Sequence, residues 1–562
     1  MTDQNAAVPV NINDEFAIRA DKARKLRALG VNPYAAKYDK KQSVAKLLSL
    51  KDAGGFRPFP EAKAAPTAAY QTAGRLVTLR DMGKLAFGRV QDSSGSMQVA
   101  FSAESLKVVR DGEALAQFEG AGEAGAPLPA YKVFQKLIDI ADFVGLAGEL
   151  AVTNTGELTL VVSEITLLSK ALRPLPEKFH GLTDAETIYR KRYLDLTSND
   201  ASFQRFLTRS KFISEMRKFY EKNGFIEIET PILGSSASGA AAKPFVTHHE
   251  DYDQDMFLRI SPETALKKAT AGRFERVFEI VKNFRNEGSD PSHMQEFTAV
   301  EHYAAFWDFK DNMKFCEKMF KTLMAKAGIP LKVSVKDKEG VAREVDFGAK
   351  WEKVDYVKRI KEEIGLDVSK LKEGEESKLR AALAAKGIFI EDADKLGLTT
   401  LVDKLYKKAV RPKIAGPAFI FNYPKFMQPL ARASDKNPNV VEQFQVLVNG
   451  WEIVKAYSEL VDPVDQRERF EQQARAIAAG DEEATAADYD FVEAMEHGMP
   501  CQSGLGIGID RLLALVLGQD NLRDVVLFPI VRPENVQGQA SQIADALKAE
   551  DERAAQAGAQ AA

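Results

Sequence analysis

Charged and aromatic residues alternate along the segment from residue 276 to residue 303, RVFEIVKNFRNEGSDPSHMQEFTAVEHY. The pattern predicts a strand, a polar loop that carries His293, and a returning strand whose side chains alternate between two faces. One shared surface would then hold Glu279, Val281, Asn283, Arg285 and Glu287 from the first strand, and Phe297, Ala299, Glu301 and Tyr303 from the second. Because buried core strands rarely carry such charges, this segment predicts a functional surface.

A second segment with regularly spaced functional groups covers residues 443–460, QFQVLVNGWEIVKAYSEL. Its Asn-Gly pair at 449–450 is a strong signal for a two-residue turn between antiparallel strands. The side chains that share one face after this turn are Lys455, Tyr457 and Glu459.

A third segment, GLGIGIDRLLALVLG at 504–518, places Arg511 at the start of an apolar helix. A guanidinium beside the positive end of a helix is suited to binding phosphate. The glycines do not form GxGxxG, because Ile509 stands at the last glycine position, and GxxxxGK[ST] does not occur in the chain. The sequence therefore argues against the usual nucleotide-binding folds.

The elements that must position these segments fall into two types. From residue 74 to about residue 169, short alternating runs with turn signals predict a small β-barrel. From about residue 173 the pattern is α+β, with a helix over 203–223 that ends at Gly224 and then a half-buried strand, FIEIETPIL.

The expected domain boundaries follow from these changes in pattern. We expect a basic helix and linker at 1–70, a barrel at 71–170, a larger domain at 171–535 with a mainly helical insertion at 352–410, and an Ala- and Gln-rich tail at 536–562. The stretch 110–131 looks like a low-complexity insertion in the barrel, and 52–69 like a linker or a surface excursion. The basic helix within 14–41 is either a solvated face or an arm that contacts phosphates, and the segment alone favours the solvated face.

Composition limits the class of protein. The chain has 562 residues with 77 Lys+Arg, 81 Asp+Glu, a net charge of −4 and 2 Cys, which excludes a disulfide scaffold and a cysteine-rich zinc module. No signal peptide and no apolar run of membrane length is present, so we expect a cytoplasmic protein without membrane contact. The near-zero net charge by itself argues against nucleic acid as a partner.

The three functional segments resemble the three motifs of class II aminoacyl-tRNA synthetases, and specifically the bacterial-type lysyl-tRNA synthetases. The first motif corresponds to the helix ending in GFIEIETP with Pro231, the second to FERVFEIVKNFRNEG with HMQEF, and the third to GLGIGIDR. The resemblance also includes LRPLPEKFHGLTDAETIYRKRYLDL at 172–196, GAAAKPFVTHH at 239–249 and AYSELVDPVDQRERF at 456–470. It implies an α+β chain with an OB-fold anticodon-binding barrel followed by an antiparallel catalytic sheet flanked by helices and carrying the helical insertion.

The resemblance implies roles for individual residues. Arg285 and Arg511 would be catalytic, with Arg285 on the ATP α-phosphate and the lysine carboxylate, and Arg511 near the γ-phosphate. The other ATP-binding residues would be Glu287 beside the adenine, Phe297 against the base and His293 near the phosphates. The lysine-binding set would be Gly239 and Glu263 at the α-amino group, Glu301, Tyr303 and Glu459 around the ε-amino group, and Arg285, Lys455 and Tyr457. The anticodon would be read by Phe87, Gln98 and Glu157.

Two residues depart from the family pattern. Gln445 stands where an acidic metal ligand is usual, and Lys455 stands where an asparagine is usual near the substrate carboxylate. Glu452, the other acidic position, is retained, so we expect Mg²⁺ with ATP, held at Glu452 and weakly or not at all by Gln445. We hypothesise that Lys455 replaces part of the charge of one Mg²⁺; the alternative is altered lysine recognition. Since Glu452 and Lys455 differ in strand parity, both can face the site only across a bulge or a strand end.

The leading interpretation is a homodimer that ligates lysine to lysine tRNA through an adenylate, using ATP and Mg²⁺. Dimerisation is implied by the first motif, which with Pro231 usually lies at the subunit interface. One alternative is a paralogue that attaches lysine or an isomer to a protein, and another is a non-catalytic tRNA-binding relative. The retained barrel residues argue against the former, and Arg285, Phe297 and Arg511 argue against the latter. The basic N-terminal helix beside an anticodon-type barrel also shows why net charge is a poor guide to a nucleic-acid partner here.

Overall fold

The computed structural model describes residues 12–176, 182–240, 242–337, 339–372, 374–428, 431–478 and 487–532. The chain divides into two compact units between residues 181 and 182. The predicted tail at 536–562 lies outside the described residues. Among the residues that are described, no helix is long and apolar enough to cross a bilayer.

The first unit contains nine strands and four α-helices within its described part. The helices are α1 (Ile12–Ala28), α2 (Val44–Leu48), α3 (Phe59–Ala64) and α4 (Ala130–Leu137). The strands are β1 (Tyr70–Asp81), β2 (Leu85–Asp92), β3 (Gly95–Ser102), β4 (Lys107–Arg110), β5 (Glu113–Leu115), β6 (Gln117–Phe118), β7 (Leu128–Pro129), β8 (Phe143–Val152) and β9 (Leu158–Ser169).

Five of these strands close into the barrel that the sequence predicts. The order β3-β2-β1-β8-β9 is completed by a parallel pairing of β3 with β9. Alternate side chains fill the interior, and the amphipathic helix α4 places Phe134 against Phe101, with ring centroids 4.4 Å apart. The residues between β4 and α4 contain three short strands, which the sequence pattern of an insertion did not predict.

The region before the barrel is more ordered than the linker interpretation of residues 52–69 allowed. Helix α3 lies within that stretch, and Ala62 is fully buried against Ala151 and Val161. The basic helix α1 is present, but Arg19 is buried and Lys22 is paired with Asp139 at 2.5 Å. These two cations stabilise the docking of α1, because each has an anionic or carbonyl partner in this unit.

The second unit has a mixed architecture. Its helices are α5 (Ala185–Arg190), α6 (Arg192–Ser198), α7 (Asp200–Lys222), α8 (Glu263–Ala271), α9 (Phe309–Ala327), α10 (Tyr356–Ile364), α11 (Glu376–Ala385), α12 (Leu398–Leu405), α13 (Pro463–Ala478), α14 (Tyr489–Glu496) and α15 (Ile509–Val516). Its strands are β10 (Ile226–Glu227), β11 (Leu233–Gly234), β12 (Val246–His249), β13 (Gln254–Leu258), β14 (Arg276–Phe284), β15 (Glu296–Ala305), β16 (Lys332–Lys336), β17 (Ala342–Asp346), β18 (Glu352–Asp355), β19 (Ala418–Phe421), β20 (Gln443–Val448), β21 (Trp451–Ser458) and β22 (Gln502–Gly508).

An eight-stranded sheet in the order β10-β14-β15-β22-β21-β20-β19-β18 forms the centre of this unit. Its six inner strands, from β14 to β19 in this order, run antiparallel to one another, and the two outermost pairs, β10 with β14 and β18 with β19, are parallel. Because strand residues alternate between faces, Phe278 packs against Tyr220 of α7, whereas Val277 packs against Leu266 of α8. Helices α7 and α9 therefore cover one face, and α8 covers part of the face that carries the functional side chains.

Two predictions about this unit need correction. The predicted strand FIEIETPIL is a strand only at Ile226–Glu227 and again at Leu233–Gly234, and Ile226 is exposed rather than half-buried. Pro231 lacks the N–H that would continue the pairing. The predicted helical insertion begins with β18 at Glu352, which pairs with β19 in the central sheet, and the helices start only at Tyr356.

Candidate active site

The antiparallel pair β14 and β15 brings the predicted cation and ring together. The register places Glu279 opposite Glu301 and Asn283 opposite Phe297. Just beyond β14, the guanidinium carbon of Arg285 lies 5.2 Å from the centroid of the Phe297 ring. Burial lowers the pKa of Arg285, and Glu301 and Glu287 act in the opposite direction. An arginine remains charged in such a setting, so the site holds a guanidinium that an anion would stabilise.

A second guanidinium comes from Arg511, at the third residue of α15. The start of this helix is anchored by Asp510, whose carboxylate accepts from the backbone N–H of Thr298 at 2.7 Å and pairs with Arg209 at 2.5 Å. Arg511 donates to the main-chain carbonyls of Glu452 and Ser292 at 3.3 and 3.2 Å, while its buried Nε has no hydrogen-bond partner among the described residues. This orphaned donor and the neighbouring positive charge of Arg285 favour an anionic ligand.

The loop between β14 and β15 carries the residues predicted to surround the adenine and the phosphates. Glu287 and His293 are both exposed, and Phe297 is half-buried. The imidazole Nδ1 of His293 lies 2.8 Å from Asp290 and 3.0 Å from Ser292. The loop therefore presents Glu287 and His293 at the surface of the site, whereas the guanidinium groups of Arg285 and Arg511 are more buried.

An acidic pocket lies further along the same face. Glu263 and Glu459 are buried in it, Glu301 is only partly exposed, and Tyr303 and Tyr457 are buried beside them. The phenol of Tyr457 donates to Oε1 of Glu263 at 2.8 Å, and Ser261 donates to Glu301 at 3.2 Å. The structure therefore brings together five side chains to which the resemblance to lysyl-tRNA synthetases gave a role in binding lysine.

The carboxylates of this pocket are costly to ionise because they are removed from water. Burial, followed by repulsion from Glu263, raises the pKa of Glu301 to about 7. Burial also raises the pKa of Glu459, and the nearby ammonium group of Lys267 opposes that shift. Carboxylates in a dehydrated pocket are stabilised by a bound ammonium group, whereas an apolar ligand leaves them unpaired.

Two glycines make the pocket possible. Gly239 has a φ of +84°, and a Cβ there would lie 2.9 Å from the Cβ of Glu263. Gly504 on β22 is closer still to its neighbours, because a Cβ would lie 2.3 Å from a ring carbon of Tyr303 and 2.5 Å from Oε1 of Glu459. Both positions need glycine for space, and Gly239 needs it for its backbone conformation as well.

Lys267 is a charged residue of this pocket that the sequence did not single out. Its Nζ lies 2.5 Å from Oε1 of Glu263 and also contacts Glu459. It is almost fully buried, with the ring centroids of Tyr303 and Tyr457 each 5.6 Å from Nζ. Glu263 and Lys267 are four residues apart on α8, but that spacing is typical of solvated helix faces and does not by itself indicate a site.

A bulge in β21 allows Glu452 and Lys455 to face the same side of the sheet, although regular alternation would place them on opposite sides. Val446 pairs with Val454 and Leu447 pairs with Glu452, so Ile453 is an extra residue on that strand. Glu452 and Lys455 consequently interact across the same cleft, as the sequence analysis required. Lys455 keeps contact with solvent, but the surrounding protein displaces part of the water around its ammonium and so lowers its pKa.

The predicted metal position at Gln445 is already occupied by a protein contact. Its Oε1 accepts from the phenol of Tyr423 at 2.6 Å. Within the described residues, no group of three or more His, Cys, Asp or Glu is arranged to hold a metal ion. The chain therefore offers one carboxylate here, Glu452, which fits a Mg²⁺ that is bound mainly by substrate phosphates.

In the first unit, the residues predicted to read an anticodon share one outer face of the barrel. Gln98 pairs in register with Arg89 and with Thr159, and its Nε2 donates to Thr159 at 2.9 Å. Glu157 accepts from Arg89 at 2.8 Å. Phe87, two residues before Arg89 on β2, lies on the same face, and its ring stacks on Phe59 at 5.6 Å. Arg89 and Phe59 were not predicted: the strand register places Arg89 on this face, and the packing of helix α3 on the barrel places Phe59 there.

Comparisons with known proteins agree with both units. The family described as "tRNA synthetases class II (D, K and N)" matches residues 184–532, and the "OB-fold nucleic acid binding domain" matches residues 70–168. A "Lysine--tRNA ligase" of Lactococcus lactis subsp. lactis is 42% identical over 93% of this chain and 99% of its own length. Those of Aquifex aeolicus and Enterococcus faecalis are 43% and 37% identical, over 83% and 95% of this chain and 74% and 100% of their own lengths. The chain belongs to the lysine--tRNA ligases of tRNA synthetase class II.

Proposed function

We propose that this chain activates lysine with ATP, forming lysyl-adenylate and pyrophosphate, and then transfers the lysyl group to the 3′ end of lysine tRNA. The observation that carries this proposal is a pocket with three carboxylates next to two partly buried guanidiniums, Arg285 and Arg511. The carboxylates suit a cationic side chain, and the guanidinium groups suit a polyphosphate.

The activation step needs positioning more than acid–base catalysis. The lysine carboxylate is ionised at neutral pH, so it attacks the α-phosphorus without a general base. The planar fork of Arg285 can bridge an oxygen of the carboxylate and an oxygen of the α-phosphate. Arg511 would stabilise charge on the outer phosphates, and the ring of Phe297 would stack against the adenine with Glu287 and His293 at the edge. Positioning of two anions and stabilisation of developing charge would supply most of the rate enhancement.

Selection of lysine would rest on the acidic pocket. Glu263 near Gly239 would hold the α-ammonium, and Glu301, Tyr303 and Glu459 would surround the ε-ammonium. Leucine or methionine would fit the volume but leave buried carboxylates unpaired, which is a strong basis for rejection.

The metal requirement is where this chain would differ from its relatives. A Mg²⁺ bound with ATP would neutralise phosphate charge, and Glu452 would be its protein ligand. Since Gln445 contributes only an amide oxygen that Tyr423 already contacts, Lys455 would supply positive charge in place of one ion. The double variant Lys455→Asn with Gln445→Glu should then show ATP–pyrophosphate exchange that depends more steeply on Mg²⁺ concentration, because a further ion would have to replace the lost ammonium; an unchanged Mg²⁺ titration would contradict this role of Lys455.

For the tRNA, we propose that the barrel face with Phe87, Gln98 and Glu157 reads the anticodon. Aromatic side chains on such a face stack against unpaired bases, and polar groups bind base edges. Arg89 adds a cation to the same face. We also propose a cytoplasmic homodimer, on the basis of the first motif with Pro231.

The direct test is lysine-dependent ATP–pyrophosphate exchange across all twenty amino acids, followed by charging of lysine tRNA. Exchange should require lysine, and charging should follow. Exchange without lysine, or preferential activation of another amino acid, would overturn the proposed specificity. Loss of all exchange with retained tRNA binding would instead indicate a non-catalytic relative.

A further inference from the structure

The side chain of Lys267 occupies an unusual position for a lysine in a site that selects lysine. Its ammonium bridges Glu263, at 2.5 Å, and Glu459, which are the carboxylates that we assign to the two ends of the substrate. The side chain is 4% exposed, so water does not satisfy its charge.

The contacts of this ammonium use only part of each carboxylate. Lys267 and the phenol of Tyr457 both contact Oε1 of Glu263, and no donor among the described residues lies on the second oxygen. On Glu459 the contact is with Oε2, while Oε1 is buried against Gly504. Lys267 therefore fixes the position of both carboxylates, and the second oxygen of Glu263 remains without a donor among the described residues.

We propose that Lys267 is a positioning residue for substrate lysine, whose ammonium holds Glu263 and Glu459 in place before the substrate binds and compensates the negative charge of Glu459. This inference rests on the proposed activation of lysine and adds a residue to that site. Lys267 would stay in place when lysine enters, and the substrate would meet carboxylates that are already oriented.

The charges around Glu459 explain why such a residue is needed. The titratable groups that face it are Lys267 and Glu263 from α8, Glu301 and Tyr303 from β15, and Lys455 and Tyr457 from β21. Burial opposes a charge on Lys267, but Glu263 and Glu459 outweigh burial and raise its pKa above the usual value. Lys267 is thus a permanent cation over the working pH range, and it is the cation in contact with both carboxylates.

Removal of this cation should make lysine binding depend more steeply on pH. A positive charge in contact lowers a carboxyl pKa by about 1–3 units, and one unit changes the ionised fraction about tenfold at fixed pH. In Lys267→Met, Glu459 would bind a proton more tightly, so the lysine KM at pH 7 should rise about tenfold or more relative to the unaltered enzyme. That ratio should shrink as pH rises toward 9, because the carboxyl then ionises without help.

The test is ATP–pyrophosphate exchange by full-length enzyme from pH 6.5 to 9, with the lysine KM, the ATP KM and kcat measured separately. The unaltered enzyme tests the proposed function, and only the ratio of variant to unaltered enzyme tests the role of Lys267. Lys268→Met is the matched control, because the neighbouring Lys268 is paired with Asp490 outside the pocket, and its kinetics should be unchanged.

The expected result is a lysine KM that rises in Lys267→Met and recovers with pH, with an ATP KM within about twofold of the unaltered value. A KM ratio below about twofold, or a loss that is equal at every pH, would overturn the proposal and leave Lys267 with a structural role only. If Lys267→Met does not fold by circular dichroism, Lys267→Arg decides the question. It keeps the charge, so it should keep the pH profile of the unaltered enzyme even with a higher KM, and a steeper profile would refute the inference.

Discussion

The replacement Gly504→Ala tests whether the lysine pocket is as tightly built as the structure indicates. A Cβ at this position would lie 2.3 Å from a ring carbon of Tyr303 and 2.5 Å from a carboxylate oxygen of Glu459. Carbon atoms in contact normally lie about 3.5–4.0 Å apart, so the ring or the strand must shift by more than about 1 Å. Overpacking of this kind costs about 1–3 kcal/mol of folding free energy.

The functional cost of Gly504→Ala should exceed its cost in stability. Tyr303 is packed between Leu266 and Val277, and the Glu459 carboxylate is in contact with Lys267, so neither has an open direction in which to move. Misplacement of a binding group by about 1 Å can cost up to about a hundredfold in rate. We therefore expect the lysine KM to rise about ten- to a hundredfold, while the ATP KM changes little, because the clash lies on the lysine side.

The assays are lysine- and ATP-dependent pyrophosphate exchange, together with urea unfolding. Gly506→Ala is the stability control, because it lies on the same strand face but its Cβ would meet only the Cγ of Glu301, at 3.6 Å. Its free energy of unfolding should stay within about 0.5 kcal/mol of the unaltered protein. If Gly504→Ala matched this control in stability and kept the original lysine KM, the close packing argued here would be wrong.

Because burial and Glu263 raise the pKa of Glu301 to about 7, lysine binding should strengthen as pH rises through 7, and Glu301→Gln should flatten that dependence of the lysine KM. Arg285→Lys keeps the charge but loses the planar fork, so kcat for exchange should fall about 10²–10³-fold at an unchanged melting temperature; a smaller loss would argue against bridging. Burial lowers the pKa of His302 to about 3, so the unfolded chain binds a proton below pH 6.5 that the folded chain excludes. The free energy of unfolding should then fall by up to about 1.4 kcal/mol per pH unit from pH 6.5 downward, and His302→Gln should show a shallower slope in urea titrations at several pH values.

Strand periodicity was sufficient to predict much of the site. The alternation in β14 and β15 predicted that Arg285 and Phe297 would share a face, and the Asn-Gly turn predicted the hairpin that carries Lys455 and Glu459. The parity of Glu452 required either a bulge or a strand end, and a bulge is found at Ile453. These features are local, because they depend on side-chain alternation and turn chemistry along one stretch of chain.

The residues that sequence reasoning missed depend on contacts between distant elements. Lys267 and Lys268 are adjacent lysines on α8, yet Lys267 is buried between two carboxylates and Lys268 is paired with Asp490 near the surface. Nothing in the local sequence distinguishes them, because the difference arises from Glu459, far along the chain. In the same way, Arg89 gained a partner only through the barrel register that brings Glu157 close.

The acidic pocket shows why net charge did not indicate the ligand. The proposed lysine site contains Lys267 and Lys455 as well as three carboxylates, so its own charges nearly balance. Even with these cations present, burial and repulsion from Glu263 raise the pKa of Glu301 to about 7. Lys267 compensates part of the carboxylate charge at the cost of some attraction, and it fixes the two carboxylates that an incoming lysine would meet. Selectivity for lysine therefore depends on where each charge is held, and a single neutral substitution at Lys267 should weaken lysine binding although it makes the pocket more negative.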